Sequence, residues 1–285
     1  MIGLAVSNIA WDATEEADVA RALRDRGVRR VEIAPTKVFE DPTDVSDAAI
    51  ADYRGFWEAH GIDVVAFQSM LFGYPDLSIF GDEAVVRATV ERLGAFIDLA
   101  GRMGAGRLVF GSPRNRRRPA GMDDEEIQDA AIAVFGELGR RAADAGVIFC
   151  IEPNPPQYGC DFVTTAAEGE RLVRAVAHPG FGLHLDVAGM TLAGDTPAEA
   201  VRSAADVLCH YHVSAPDLGP IERDVVDHVS AFRALAETSY SGTVSIEMRP
   251  GDPGEAVSRV ESAVDLARAA AVRAGLDLDP ASGAA

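Results

Sequence analysis

Glu152, Asp186, His212 and Glu247 follow one another at intervals of 34, 26 and 35 residues. These are close to the roughly 31 residues of one strand-plus-helix unit when about 250 residues make eight such units. Each lies at the end of an apolar, β-rich run: Ile-Glu-Pro-Asn-Pro, Leu-His-Leu-Asp-Val, His-Tyr-His-Val-Ser and Ser-Ile-Glu-Met-Arg-Pro. Pro153, Gly189, Pro216 and Pro250 follow within four residues and break the strands there. A single carboxylate at a strand end is usually a helix cap or a surface charge. Four polar groups brought to one mouth are another matter, because three carboxylates would repel one another without a cation. The oxygen-rich set suits Mn²⁺ first, with Mg²⁺, Co²⁺ and Zn²⁺ as alternatives, so one divalent metal is expected.

A metal that chelates a carbonyl and the neighbouring hydroxyl acidifies the C–H between them. Glu152 and Glu247, three strands apart in a ring of eight, would reach opposite faces of an enediolate as base and acid. Two-face transfer inverts a stereocentre, and one-face transfer moves the carbonyl; the sequence allows both. Other pocket candidates at strand ends are Glu32, Gln68, Asn154 and Arg249, and Tyr158, Trp11 and Phe72 are aromatics on loops where a sugar could stack. Two residues before the four ligands stand Cys150, His184, His210 and Ser245, which should face the same interior. They form either a polar layer that orients the ligands, with His184 touching substrate, or a deeper thiolate–imidazole metal site at Cys150, His184 and His210. Arg114, Arg116, Arg117 and Arg118 crowd one loop; Arg114 and Asn115 are its expected contacts to an anionic sugar.

Eight strand–helix pairs must position these groups. The strands are expected at Gly3–Ser7, 29–34, 64–69, 107–111, 147–152, 182–186, 207–212 and 243–247, with helices starting near Thr14, Ser46, Asp82, Asp123, Thr164, Pro197, Val225 and Gly254. Alternation from end to end implies an α/β fold with a parallel sheet. No glycine-rich phosphate turn follows the first strand, where Ser7-Asn8-Ile9-Ala10-Trp11 stands, so a dinucleotide-binding sheet is excluded in favour of a (β/α)8 TIM barrel. No linker divides the chain. It is expected to be one barrel domain over residues 1–275, with a flexible tail over 276–285.

Composition narrows the partners. With 26 Lys+Arg against 45 Asp+Glu the net charge is −19, which disfavours nucleic acid and anionic lipid and leaves a small-molecule carbohydrate. Three cysteines at irregular spacing fit a reducing cytoplasm rather than a disulfide framework. Apolar runs are too short for a bilayer, and the oligomeric state, homo-oligomer included, stays open.

The Glu, Asp, His, Glu set at the ends of strands five to eight resembles the sugar isomerase/epimerase superfamily of xylose isomerase-like barrels, over nearly the whole chain. The resemblance implies a metal held by Glu152, Asp186, His212 and Glu247, with both glutamates also moving protons. Ketose 3-epimerases of that group carry a histidine, a glutamate and an arginine where this chain has Gly189, Tyr158 and Leu218, which argues against free hexuloses. Endonuclease IV-type phosphodiester hydrolases share the barrel and are the alternative, although they need more histidines and a basic face. A non-catalytic sugar-binding barrel is a third reading, with little use for two glutamates beside a metal.

Overall fold

The computed structural model describes residues 1–222 and 225–279. Eight parallel strands close into a barrel in chain order: β1 (Gly3–Ser7), β2 (Arg30–Ile33), β3 (Asp63–Phe67), β4 (Arg107–Phe110), β5 (Ile148–Ile151), β6 (Phe181–Asp186), β7 (Leu208–Val213) and β8 (Thr243–Ile246). β8 pairs with β1, so no edge is left open. Among the described residues ten helices lie outside: α1 (Glu16–Asp25), α2 (Pro35–Val38), α3 (Asp47–Glu58), α4 (Glu83–Met103), α5 (Asp124–Asp144), α6 (Ala166–Val176), α7 (Val187–Ala193), α8 (Pro197–Ser203), α9 (His228–Glu237) and α10 (Ala256–Ala274). The expected strands all form: β1 has the expected bounds, and the ends of the others lie within two residues of expectation. The short helices α2 and α7 were not anticipated; each occupies the loop directly after its strand.

Local chemistry sets the helix starts. Ser46, Asp82 and Thr165 accept from backbone N–H groups of the first turn, and Asp123 and Glu126 form a reciprocal capping box. Gly104 ends α4 at φ 83°, a conformation open to glycine. Between staves and helices the core is aromatic: Phe135 of α5 stacks on Phe181 at 4.9 Å, beside Phe110 and Phe149. The outward direction of Phe149 turns its neighbours Cys150 and Glu152 into the barrel.

Register shifts occur between Val31 and Glu32 against β3, and between Leu183 and His184 against β7. Such irregularities re-aim side chains beside functional sites. Of the expected tail, 280–285 lie outside the described residues. Residues 276–279 are docked rather than loose: Leu278 is buried and bridges Ile2, while Asp279 accepts from the Leu4 N–H at 3.2 Å and pairs with Arg30. An apolar side chain and a carboxylate with two partners hold them.

Candidate metal and substrate site

At the C-terminal mouth, Glu152, Asp186, His212 and Glu247 each bring one ligand atom within 4.8 Å of the others. Pairing of Asp186 with His212 across β6 and β7, and of His212 with Ser245 across β7 and β8, sets their level. Gly111 leaves the room that Glu152 occupies, since a Cβ there would collide with its carboxylate. Asp186 combines cap and candidate ligand: Oδ1 accepts from the Gly189 N–H at 2.5 Å at the start of α7, and Oδ2 accepts from Ser214. The hydroxyl of Ser214 escaped the sequence reading, although its position two residues after His212, just past the end of β7, was a usable signal.

Glu32 lies beneath this set. It was expected at the sugar; instead it is fully buried and faces two imidazoles, with His212 Nε2 at 2.9 Å from Oε2 and His210 Nε2 at 3.3 Å from Oε1. β2 and β7 stand three staves apart in the closed ring, so their interior side chains meet inside the barrel. The contact leaves His212 Nδ1 without a hydrogen-bond partner, 3.2 Å from Glu247 Oε2 and among the carboxylates. An imidazole fixed through one nitrogen with the other aimed into a carboxylate cluster is the arrangement metal-binding histidines adopt. The residues therefore fit a divalent cation.

The electrostatics agree. Burial, then repulsion from Glu247 and Asp186, pushes the Glu152 carboxyl up to about 8, and burial with Glu247 pushes Asp186 up to about 6. Burial disfavours charge on His212, but Glu32 and Glu247 outweigh it and hold the imidazole well above its ordinary value. Burial also opposes charge on Glu32, yet His212 and His210 hold it well below the usual range. Protons thus supply the positive charge that the carboxylates require.

A cavity of about 240 Å³ opens over this cluster. Glu152, Asp186 and Glu247 form its floor, and the expected residues Gln68, Asn154, Tyr158 and Arg249 line its walls. Gln68 donates to Ser7 Oγ at 2.7 Å, and the Tyr158 hydroxyl accepts from the Asp217 N–H at 3.0 Å. His184 does not reach the cavity: it is fully buried below, its Nε2 3.9 Å from Glu152 Oε1 and its ring centroid 4.1 Å from that of His212. The deeper grouping is thus His184, His210 and His212 rather than one that includes Cys150. Burial and neighbouring Cys209 push the Cys150 thiol well up, so it offers no thiolate.

The arginine loop differs most from expectation. Residues Pro113–Arg116 form a 3-10 turn, which spreads successive side chains around its axis. Arg114 points to solvent, and the Asn115 amide is consumed in donating to the Tyr74 and Leu77 carbonyls at 2.8 and 2.7 Å. Arg116 is instead the fully buried member, donating from Nη2 to the Glu152 carbonyl oxygen at 2.7 Å and from Nε to Cys160 Sγ at 3.3 Å. Four arginines in five residues gave no signal to single it out. Arg117 and Arg118 engage the Gly159 carbonyl and Asp124 at the surface.

A family model described as a xylose isomerase-like TIM barrel matches residues 20–274. An L-ribulose 3-epimerase of Methylomonas sp. (strain DH-1) is 28% identical over 127 residues, 45% of this chain and 44% of that protein. A D-psicose 3-epimerase of Ruminiclostridium cellulolyticum is 28% identical over 126 residues, 44% of this chain and 43% of that protein. The aligned part thus spans less than half the length of these curated relatives. In three dimensions a solved L-ribulose 3-epimerase superposes with a TM-score of 0.80 at 18% identity, covering 96% of each chain, which establishes a shared fold.

Proposed function

The chain belongs to the xylose isomerase-like TIM barrel family, and from that premise we propose that it is a divalent-metal-dependent sugar isomerase or epimerase. The observation that carries this reading is the convergence of Glu152, Asp186, His212 and Glu247 in one cavity. The aligned relatives, both ketose 3-epimerases, support the same class. A cation bound there, Mn²⁺ by the oxygen-rich donor set, would polarise a substrate carbonyl and acidify the adjacent C–H.

The chain's own residues do the rest. Glu152 and Glu247 stand at the ends of β5 and β8 and address the substrate from separate sides; one takes the proton and the other returns it. His212 is oriented by Glu32, Asp186 by Ser214 and Gly189, and Arg116 holds the backbone from which Glu152 projects. Gln68, Asn154, Tyr158 and Arg249 serve the sugar hydroxyls. A phosphodiester hydrolase is poorly supported, since a net charge of −19 repels a nucleic-acid backbone. We assign the enzyme to a reducing cytoplasm on its three free cysteines. No described helix is long and apolar enough to cross a membrane.

Incubation with Mn²⁺ and a panel of ketoses, cyclitol ketones and keto-glycosides in D₂O tests the proposal, because deuterium uptake reports proton abstraction without net turnover. Glu152→Gln and Glu247→Gln should each lower uptake by about 10²- to 10⁴-fold. Loss in one variant alone would favour one-face isomerisation, and uptake unchanged in both would remove the glutamates from the chemistry.

A further inference from the structure

Beside the reaction cavity lies a larger one of about 520 Å³, and Ser69, Ser112 and Pro113 belong to the walls of both. The first is smaller than the roughly 300–1,000 Å³ of most small-molecule pockets, and the second falls inside that range. They differ in character. Carboxylates floor the first, whereas Leu71, Phe72, Tyr74 and Pro75 line the second.

Phe72 is 79% exposed and is the one aromatic among the exposed large hydrophobic side chains of the described residues. Together with Leu71, Tyr74 and Pro75 in the same lining, the exposed ring offers a ligand a flat apolar face. Its surroundings are held firmly. The Arg92 guanidinium sits 3.4 Å from the centroid of the Tyr74 ring, and the Asn115 amide fastens the Tyr74 and Leu77 carbonyls. At the shared wall Ser69 and Ser112 adopt φ of 56° and 35°. Left-handed backbone at two non-glycine residues is strain that persists where the surroundings fix it, and it concentrates at ligand clamps.

We infer that the substrate is a glycoside, with its sugar over Glu152 and Glu247 and an apolar, ring-shaped aglycone along Phe72, Pro75 and Pro113. This deepens, and rests on, the proton-transfer reading above. A glycosidic bond locks the anomeric carbon, so the carbonyl that the chemistry needs is a ketone within the sugar ring, flanked by a C–H and a hydroxyl. The apolar lining calls for a neutral aglycone; Arg114 stands at its solvent edge.

The test compares phenyl and methyl 3-oxo-β-D-glucopyranosides, identical in the sugar and different in the aglycone, on the Mn²⁺-loaded enzyme. Calorimetric affinity and deuterium uptake are both read, with free ketoses alongside. Burying an aromatic ring against Phe72 should favour the phenyl compound by about ten- to a hundredfold, and Phe72→Ala should bring that ratio close to one. Equal affinity for the two glycosides, binding of neither, or a preference that survives Phe72→Ala overturns the inference. Deuterium uptake by free ketoses with no glycoside binding would overturn it while leaving the proton-transfer reading in place. Phenyl-selective binding that Phe72→Ala abolishes, with no uptake by any compound, would support the aglycone site and remove the chemistry instead.

Discussion

The rim formed by β5–β8 and the wall formed by the loops after β3 and β4 meet at the same opening, yet they are built on opposite principles. On the rim, charged groups are buried and each hangs from a separate stave of a closed barrel, so their spacing is set by sheet geometry. On the wall, an aromatic ring is exposed and the segment that carries it is irregular. Rigid strand ends suit chemistry, where small displacements of a carboxylate matter, and loops suit the choice of substrate. The difference implies that reaction type and substrate identity can be altered separately in this molecule.

The largest effect should come from the rim. Asp186→Asn removes one charge from the candidate ligand set while keeping its shape, and its Oδ1 can still accept from Gly189. Metal content should fall and deuterium uptake should drop by about 10³-fold or more, the several kcal/mol that a Lewis-acid cation supplies, with the circular-dichroism spectrum unchanged. A variant that retained stoichiometric metal and full uptake would break the assignment.

Proton linkage sharpens the contrast, because the rim is electrostatically strained and the wall is not. Below pH 8 the metal-free protein keeps a proton on Glu152, and Glu32 and Glu247 favour the charged form of His212; an incoming cation must displace the protons held there. Metal uptake at pH 7 should therefore release at least one proton, and affinity should fall about tenfold or more for each unit below that. Calorimetry in buffers of different ionisation enthalpy counts the protons; release of none would contradict the site. The sign for stability follows from the same groups. Glu152 titrates at about 8 when folded and at roughly 4.3 when unfolded, so the native state binds more protons across that window. His212, raised likewise, adds stability that is lost as pH climbs through its folded value. From about pH 6.5 to 8 the metal-free protein should lose stability, and bound Mn²⁺ should reverse the trend; below that range His184 and His210, which burial holds below their ordinary value, act with the opposite sign.

The rim was legible in the sequence because closed-barrel periodicity ties chemistry to position. Glu152, Asp186, His212 and Glu247 stand where a strand run meets a breaker, and that pattern requires no knowledge of side-chain direction. Glu32 was legible as an interior strand-end residue but not as the partner of His210 and His212, because contact across a barrel depends on closure and register, to which the shift at Val31/Glu32 adds. The wall was the least legible. Whether Arg114 or Arg116 turns inward is decided by a turn four residues long, and Asn115, polar enough to bind a sugar, spends its donors on two backbone carbonyls. Phe72 was readable as a loop aromatic, but its exposure was not.

The smallest effects should appear where that turn divides two arginines. Arg116→Ala deletes a buried charge-assisted hydrogen bond to the Glu152 carbonyl and empties space beside Cys160. It should cost about 1.5–3 kcal/mol in urea unfolding, and turnover should fall because Glu152 loses its backbone anchor. Arg114→Ala removes an exposed side chain at the edge of the apolar cavity, and its stability should stay within about 0.5 kcal/mol of the parent. For a neutral glycoside its KM should change less than about threefold. A rise of about ten- to a hundredfold, the range of a charge-assisted pair to a phosphate or carboxylate, would instead mark the substrate as anionic and give the wall an electrostatic role that its apolar lining does not suggest. Equal destabilisation by the two substitutions would mean that the turn does not sort its arginines into a buried anchor and a solvent-exposed edge, and the separation of rim from wall would lose its clearest structural mark.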